Sequence, residues 1–356
     1  MKNHFYRAAL FWALLPSAYT PATVFAAGVA EPLDRPALQT RLAARSALLD
    51  VVDVQGRLVA VGERGHILLS ADNGRNWAQS PAPVSVTLTA VHFADPQTGW
   101  AVGHGGVVLQ TRDGGAQWTR QLDGRSLSGA LTQSLQAAQV ADDQPLAGKL
   151  QRLIEEGADK PLLDVRFLDA RRGFAVGAYG LLLATEDGGQ RWRVACDLLD
   201  SGEDRHLYAI RQLGDRLFLV GEQGLLYRSD DGGQSFAALP SPAEGSWFDV
   251  LGEGDELLLL GLRGALWRST DDGKHWRQLA VDTQYSFVAG LELAAGKGYL
   301  LADDGGGIWH LPAGGAQASR LDGSARFPLT GLTFAADGGV VASGLLGALR
   351  LAAPMF

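Results

Sequence analysis

Short apolar runs, broken by polar positions and glycines, recur at a fixed interval along most of the chain. From Leu88 to Trp118 the pattern, with variable positions written as x, is L-x-x-V-x-F-x-D-x-x-x-G-W-A-V-G-x-x-G-x-x-L-x-T-x-D-G-G-x-x-W. The pattern returns from Leu162 to Trp192, and weaker copies flank both units. Such runs predict short β-strands, and a repeat of about forty residues is typical of the blades of a β-propeller.

The number of turn motifs between strands gives the number of blades. A strand that ends in a small residue is followed by two variable residues and a glycine, and a degenerate copy of this marker lies at Ala302–Gly306. The second glycines of the seven markers are Gly65, Gly106, Gly180, Gly224, Gly264, Gly306 and Gly347. They are 40 to 44 residues apart, except for one interval of 74. The sequence therefore predicts an all-β, seven-bladed propeller, with four antiparallel strands per blade and one insertion.

The last blade shows only three strands, over Leu329–Ala335, Gly339–Ser343 and Gly347–Ala352. Its outer edge would be unpaired, and unpaired strand edges promote aggregation. We therefore expect an N-terminal strand within Ala37–Ala43 to take the fourth position in this blade and close the ring.

A second motif, [ST]-x-D-x-G-x-x-[WF], occurs five times and matches the Asp-box hairpin. Its aspartates are Asp72, Asp113, Asp187, Asp231 and Asp271. Each carboxylate can accept hydrogen bonds from backbone N–H groups two residues on, and the glycine that follows supplies the positive φ of the turn. Calcium binding is a poor alternative because the D-x-D-x-D-G order and the distant glutamate are missing. We expect the five aspartates to be structural, and we expect no metal site.

The insertion, residues 124–160 between blades 2 and 3, has helical rather than β periodicity. Two sets of apolar residues have helical spacing, namely Leu127, Leu131, Leu135 and Ala138, and then Leu146, Leu150, Leu153 and Ile154. Asp142–Pro145 separates them. The prediction is a helical hairpin on the propeller. Two interpretations stay open: its apolar stripes pack on the disc, or it docks a partner.

Blade topology assigns the turns to two faces. The Asp boxes lie on one face, and the Gly-x-x-Gly turns lie on the other with the helical insertion. Candidate binding residues around the central opening of the second face are Arg64, His104, Tyr179, Glu222, Gln223, Arg263 and Asp304. We expect Trp247, Tyr285, Arg326 and Phe327 further out on it. The alternative for each is an ordinary solvated turn residue.

Composition and the N-terminus bear on partners and location. The 356 residues carry a formal charge of −8 with no Lys/Arg cluster, so we expect neither a nucleic-acid partner nor attraction to an anionic membrane. Lys2 and Arg7, an apolar run over Ala8–Leu15 and small residues at Val24 and Ala26 predict a signal peptide over residues 1–26. Residues 27–356 would form one exported propeller domain without a transmembrane segment, most simply in a periplasm.

Motifs for catalysis are missing. A single cysteine, Cys196, excludes zinc ribbons and Cys-x-x-Cys redox chemistry, and also an intramolecular disulfide. The sequence has no H-E-x-x-H, G-x-S-x-G or Walker A motif. The enzyme alternative is a sialidase-like glycoside hydrolase, since sialidases also carry Asp boxes. Their F/Y-R-I-P start is absent near the N-terminus, however, and the similar string Ala325–Pro328 lies near the other end. We expect no enzymatic activity and no cofactor.

The repeat units at Leu88–Trp118 and Leu162–Trp192, with their G-W-A-V-G centre, resemble those of the photosystem II stability/assembly factor-like propellers. The resemblance extends from about Leu48 to Ala352; the helical insertion and acidic charge are additions to it. It implies an exported, non-catalytic scaffold that helps a membrane-protein complex to assemble. The partner would be a protein, residues 124–160 are one place for it to dock, and we expect a monomer. A sialidase-like enzyme and a secreted ligand-binding propeller stay as alternatives.

Overall fold

Seven antiparallel sheets follow one another along the chain, and the strands of each sheet lie side by side in sequence order. The computed structural model describes residues 30–200, 204–321 and 325–351, so the predicted signal peptide, residues 1–26, lies outside the described part. The first strands of neighbouring sheets contact one another, and the first strand of sheet 7 contacts that of sheet 1. The sheets are therefore the blades of a closed ring, which confirms the predicted seven-bladed propeller.

The first four blades run from the innermost to the outermost strand as follows. Blade 1 contains β1 (Leu48–Val54), β2 (Arg57–Gly62), β3 (Ile67–Ser70) and β4 (Ala78–Ser80). Blade 2 contains β5 (Leu88–Phe93), β6 (Gly99–Gly103), β7 (Val108–Thr111) and β8 (Thr119–Leu122). Blade 3 contains β9 (Leu162–Phe167), β10 (Gly173–Gly177), β11 (Leu182–Thr185) and β12 (Arg193–Val194). Blade 4 contains β13 (Leu207–Leu213), β14 (Arg216–Gly221), β15 (Leu226–Ser229) and β16 (Ala237–Ala238).

The last three blades have the same order. Blade 5 contains β17 (Trp247–Leu251), β18 (Leu257–Gly261), β19 (Leu266–Ser269) and β20 (Arg277–Gln278). Blade 6 contains β21 (Phe287–Leu293), β22 (Gly298–Asp303), β23 (Ile308–Leu311) and β24 (Ser319–Arg320). Blade 7 contains β25 (Leu329–Phe334), β26 (Val340–Gly344) and β27 (Leu349–Leu351).

The second strand of each blade supplies much of the core. Every residue of β6 and β10 is buried, because both faces of the strand pack against neighbouring blades. The glycine that ends such a strand is needed for close approach of the backbone. A Cβ atom on Gly103 would lie 2.1 Å from the carbonyl oxygen of Thr87, which precedes the inner strand of the same blade.

The prediction of a closing strand within Ala37–Ala43 is wrong. This stretch contains no strand, and Ala43–Arg45 is a 3-10 turn. The stretch follows blade 1 instead of blade 7, because the backbone N–H of Ala37 donates to Ala82 and the side chain of Gln79 bonds to the backbone of both Leu38 and Thr40. Those partners satisfy the backbone locally, so within the described residues blade 7 keeps three strands.

Side chains and inner strands close the ring between blades 7 and 1. Thr330 Oγ1 donates to the carbonyl of Leu48 at 2.8 Å, and Thr333 Oγ1 accepts from the N–H of Asp53 at 3.1 Å. At the rim, Arg350 of β27 binds Asp337 and the carbonyl of Asn73 in the Asp-box hairpin of blade 1. A charged residue at this edge also discourages pairing with another chain.

The five Asp boxes join the third strand of a blade to the fourth. Each aspartate accepts from the hydroxyl two residues before it, for example Thr111 Oγ1 to Asp113 Oδ1 at 2.8 Å. Its backbone donors lie three and four residues on, such as Gln117 N at 2.9 Å, rather than two residues on as predicted. These bonds hold the pKa of each of the five carboxyls below its ordinary value, with Asn76 lowering the pKa of Asp72 to about 2.

The insertion is the predicted helical hairpin, formed by α1 (Gly124–Val140) and α2 (Gln144–Glu155). Asp123 caps α1 by accepting from the N–H groups of Arg125 and Ser126, and Asp143 caps α2. The apolar stripes of both helices join the core of blades 2 and 3. The helices therefore pack on the propeller through their apolar sides.

Candidate functional site on the turn face and in the central channel

We call the face that carries the Gly-x-x-Gly turns the turn face. In four blades the third residue of the turn has a positive φ between 52° and 58°, namely Arg64, Tyr179, Gln223 and Arg263. A hydrogen bond across each turn holds this left-handed conformation, so these side chains project from fixed positions. All seven predicted binding residues lie in the turns of this face, two in blade 4 and one in each of blades 1, 2, 3, 5 and 6. None of them is among the residues that line the central cavity.

The structure brings Tyr179 and Glu222 together through His206, which the sequence did not single out. The Nδ1 atom of the His206 ring accepts from the backbone N–H of Tyr179 at 3.1 Å. The backbone N–H of His206 donates to Glu222 Oε2, also at 3.1 Å. The rings of Tyr179 and His206 meet edge to face at 5.2 Å. Ring contacts continue from His206 to Tyr208 and on to Phe248, so a row of aromatic rings crosses blades 3 to 5.

Arg263 and Asp304 meet at a second point, Ser286. The Ser286 hydroxyl accepts from the backbone N–H of Arg263 at 3.4 Å, and its N–H donates to Asp304 Oδ1 at 2.8 Å. Arg64, His104 and Gln223 stay separate from these two groups. Of the residues expected further out, Tyr285 and Arg326 are exposed and Phe327 is half-buried. Trp247 is fully buried, and its indole N–H donates to Ser241 Oγ.

One part of the turn face is covered. The turn of blade 2 contacts Leu33 of the N-terminal segment, and the carboxylate of Asp159 accepts from the N–H of Gly105 at 3.0 Å. Gly106 lies against Gly124 at the start of α1. The helical hairpin and the N-terminal segment thus cover Gly105 and Gly106 in the turn of blade 2, whereas His104 in the same turn is exposed.

A cavity of about 420 Å³ occupies the centre of the ring and is lined by the inner strands. Asp50, Asp164 and Asp249 occupy equivalent positions, the third residue of β1, β9 and β17, where the pairing with the second strand is irregular. Each carboxylate accepts from the N–H of the next residue at 2.8–2.9 Å. Asp50 and Asp164 also accept from the inner strand of the next blade, from Val91 and Ile210.

Arg211 of β13 joins two of these carboxylates. Its guanidinium binds Asp164, and its Nε atom lies 2.8 Å from Asp249 Oδ1. Burial raises the pKa of Asp249, and burial with the nearby charge of Asp164 raises the pKa of Asp50 to about 6. Burial alone would lower the pKa of Arg211, but the surrounding carboxylates raise it. The group therefore holds a permanent cation among three acids, and burial favours the protonated form of Asp50 and Asp249.

His92 and Arg166 complete the lining. Burial and the charge of Arg166 lower the pKa of His92 to about 3, so the imidazole is neutral. Its Nε2 atom lies 3.1 Å from the carbonyl of Phe167 and must carry the proton that it donates there. Burial and the charge of Arg211 lower the pKa of Arg166. The channel is therefore a polar, charged centre rather than an apolar one.

Sequence reasoning missed the channel residues, although a weak signal was present. The strings Leu48-Leu49-Asp50, Leu162-Leu163-Asp164 and Trp247-Phe248-Asp249 place aspartate at one register position of the inner strand. The other blades carry alanine or glycine there. An acid at a fixed position of a buried strand indicates a special role, since an unpaired carboxylate is costly to bury.

In the described ranges, no group of three or more His, Cys, Asp or Glu residues has an arrangement that could hold a metal ion. No helix among the described residues is long and apolar enough to cross a bilayer.

Comparison with known proteins gives a family and several similar folds. A family model described as photosynthesis system II assembly factor YCF48 matches residues 73–140 and 146–300, which is more than half of the chain. The chain is 38% identical over 80 residues to the chloroplastic photosystem II stability/assembly factor HCF136 of Cyanidioschyzon merolae, covering 21% of this chain and 18% of that protein. It is 30% identical over 136 residues to the photosystem II assembly protein Ycf48 of a Synechococcus strain, covering 34% and 40%. The matches thus span less than half the length of either relative.

Solved structures agree on the fold. A structure titled YCF48 bound to D1 peptide has a TM-score of 0.64 at 15% identity and covers 90% of this chain and 99% of its own. YCF48 from Cyanidioschyzon merolae has a TM-score of 0.62 at 15% identity, covering 89% and 98%. The WD40 propeller domain of Doa1 reaches 0.61 at 8% identity, covering 90% and 95%. At these identities the likeness concerns the propeller fold.

Proposed function

The chain belongs to the photosynthesis system II assembly factor YCF48 family, and we propose that it is an assembly factor that binds a subunit of a membrane-protein complex. The family match, from the last hairpin of blade 1 to the second strand of blade 6, is the observation that carries this proposal. We propose that the protein acts as a non-catalytic scaffold, because the channel charges bind one another and the inner strands rather than forming an open acid–base pair.

We propose that the bound species is an extended peptide segment of that subunit. A solved YCF48 structure, similar in fold, is described as bound to a D1 peptide. On this chain, the row from Tyr179 through His206 and Tyr208 to Phe248 offers ring surfaces, and the carboxylate of Glu222 next to it offers hydrogen-bond acceptors. Aromatic side chains beside polar groups are enriched in protein-binding surfaces because they bury a large area in a fixed geometry.

Export to a periplasm is part of the proposal and rests on the sequence pattern of residues 1–26. We also propose that the exported protein is a monomer. The hairpin of α1 and α2 offers a partner less surface than the docking interpretation assumed. Its apolar stripes are used in packing, so a partner that contacts the hairpin would meet its polar sides. We therefore place the partner primarily on the open part of the turn face.

Site-specific photocrosslinking tests the proposal. A photoreactive residue replaces Tyr208 in one sample and Arg191, on the opposite face, in a matched control; each full-length protein is expressed in cells that contain its natural partners. We expect position 208, and not position 191, to crosslink to an integral membrane protein, and Phe248→Ala to reduce that product. Equal crosslinking from both positions, or products that are all soluble proteins, would contradict the proposal.

A further inference from the structure

The open part of the turn face carries exposed apolar side chains at the tips of several blades. Leu262 lies in the turn of blade 5, Tyr285 precedes blade 6, and Leu345 and Leu346 lie in the turn of blade 7. Leu42 precedes blade 1. Leu346 is 65% exposed, Leu42 63% and Tyr285 58%. Apolar residues scattered singly over a surface are normal, so it is the recurrence of these side chains on one face that indicates an interaction surface.

Backbone contacts show that these turns form one continuous surface. Thr283, just before Tyr285, lies against Gly264 in the turn of blade 5, and the Tyr285 ring covers Gly305 in the turn of blade 6. The carbonyl of Phe327 lies against Gly306 of the same turn, and the Leu345 N–H donates to the carbonyl of Pro328.

The contact series continues into blade 1. Gly347 in the turn of blade 7 lies against the backbone of Ala44 and Arg45, and the N–H of Glu63 in the turn of blade 1 donates to Ala47. We call this surface, from the turn of blade 5 round to the turn of blade 1, the leucine–arginine face.

The same surface gathers cationic side chains that are far apart in the sequence. Arg41, Arg45, Arg64, Arg263 and Arg326 are all exposed. None of the five forms an ion pair with the described residues, whereas most other arginines bind an aspartate. Among the described residues, the acids of this surface are Glu63, Asp303 and Asp304, which accept from backbone N–H groups, and the exposed Asp282. Five arginines against four acids make the local balance of the described residues weakly cationic, on a chain with a formal charge of −8.

We propose that the leucine–arginine face docks on a membrane surface that contains anionic lipids. The leucines and Tyr285 would enter the boundary between headgroups and acyl chains, and the arginines would lie over lipid phosphates. Apolar tips on separate turns, with arginines on the same surface, fit shallow insertion between lipid headgroups. A protein partner is bound by a contiguous apolar core instead. The sequence suggested no attraction to membranes because the fold, and not the chain order, brings these arginines together.

The inference goes beyond the proposed function, since it names lipid rather than a protein subunit. Docking through blades 5 to 1 would leave the aromatic row of blades 3 to 5 near the membrane surface, where the segments of a membrane-protein subunit emerge. The fixed conformation of the turns, with Arg263 held at a φ of 55°, means that little order has to be gained on binding.

Sedimentation with protein-free vesicles tests the proposal. The full chain is mixed with vesicles of phosphatidylcholine alone and of phosphatidylcholine with phosphatidylglycerol, at low and high salt. We expect binding to the anionic vesicles that weakens at high salt, because screening reduces the contribution of the arginines. Leu345→Ser with Leu346→Ser should weaken it at least about tenfold, and Arg263→Gln with Arg326→Gln about fivefold per arginine.

Matched controls lie elsewhere on the chain. Val140→Ser removes an 89% exposed valine at the end of α1, and Arg277→Gln removes an exposed arginine of β20. Both should bind vesicles like the unaltered chain. Every variant carries the same N-terminal residues, so a difference between variants reports on the leucine–arginine face. Thermal melting of each variant checks that the exposed substitutions leave the propeller folded.

Three results would overturn the proposal. The first is failure of the unaltered chain to bind anionic vesicles. The second is equal binding by the face variants and the unaltered chain. The third is a loss of vesicle binding in the control variants as large as that in the face variants. Binding only to native membranes that contain protein would assign the face to a protein partner and also reject the lipid proposal. None of these results affects the crosslink expected from position 208, so the two proposals fail separately.

Discussion

The Nε atom of Arg211 lies 2.8 Å from Oδ1 of Asp249, and this pair joins the inner strands of blades 4 and 5 at the centre of the ring. The same guanidinium binds Asp164 of blade 3. One cation therefore connects three consecutive blades from inside the channel. A buried ion pair is a weak source of net stability, but removal of one partner leaves the other charge buried and unpaired.

Replacement of Arg211 should therefore lower the stability of the propeller strongly. We expect Arg211→Met to lower the free energy of unfolding by about 3–5 kcal/mol at neutral pH, because Asp164 and Asp249 lose their shared counter-charge. Urea unfolding followed by tryptophan fluorescence measures this. The matched control is Arg191→Met, which removes an exposed pair with Asp187 and should cost less than about 1 kcal/mol. Equal costs for the two variants would show that the channel charges are not coupled.

Asp50 should make stability depend on pH in an unusual direction. Its pKa is raised to about 6 in the folded chain, above the ordinary value of 3.8, so between these values the folded chain binds a proton that the unfolded chain does not. Its contribution to stability therefore grows as the pH falls from about 7 towards 4.

The difference between the unaltered chain and Asp50→Asn isolates this contribution. The unaltered chain should gain about 1–3 kcal/mol relative to the variant between pH 7 and pH 4.5, measured by urea unfolding at each pH. The comparison cancels the Asp boxes, whose lowered pKa values act in the opposite direction below pH 4. A constant difference across this range would mean that Asp50 is ionised throughout.

The repeat made most of the fold predictable, because each blade is a local unit whose turns and strand periods lie within about forty residues. The channel and the leucine–arginine face were not predictable in this way. Asp50, Asp164 and Asp249 are separated by whole blades, and only ring closure brings them to one centre. Arg45, Arg263 and Arg326 are likewise remote in sequence, and the ring places them on one face.

The prediction of the closing strand was wrong for a related reason. It rested on the unpaired edge of blade 7 and on a short segment, Ala37–Ala43, that could form a strand, but a short segment does not specify its pairing partner. In the structure Leu38 and Leu42 are exposed, and side-chain bonds from Gln79 hold the segment along blade 1. The seven predicted binding residues lie in the turns of one face because topology sets the face of every turn. Their distance from the channel depends on the width of a blade, which the repeat length does not give.

The helical hairpin should contribute to the stability of the propeller. Leu131 of α1 and Leu150 of α2 are at most 1% exposed and belong to the core of blades 2 and 3. We expect Leu131→Ala and Leu150→Ala each to cost about 2–5 kcal/mol, as for other buried leucines. Val140→Ala, at an exposed site of α1, should change stability by less than about 0.5 kcal/mol. If the leucine variants melted like the control, the hairpin would be an independent appendage.

The Asp boxes should act on stability and not on binding. Asp231 accepts from Ser229, Gln234 and Ser235, and Asp231→Ala should cost about 1–2 kcal/mol through loss of these bonds. Its neighbour Asp230 is more exposed and pairs with Arg228 at the surface, so Asp230→Ala should cost less than about 1 kcal/mol. Vesicle binding and the crosslink from position 208 should be unchanged in both, because these residues lie on the opposite face. Lost binding in a variant that melts normally would place the boxes at a partner site.

Gly347 tests how the ring closes without a fourth strand in blade 7. Its φ is 104°, and a Cβ atom would lie 2.1 Å from the carbonyl oxygen of Ala44, so the turn of blade 7 and the segment before blade 1 interlock through this glycine. Gly347→Ala should therefore cost several kcal/mol, since it combines backbone strain with displacement of the N-terminal segment. Gly338→Ala is the matched control, because Gly338 also has a positive φ, 79°, but open space where the Cβ would lie. It should cost only about 1 kcal/mol from strain. Similar melting temperatures for the two variants would show that residues 44–45 do not secure blade 7, and that β25, β26 and Arg350 close the ring against blade 1 without them.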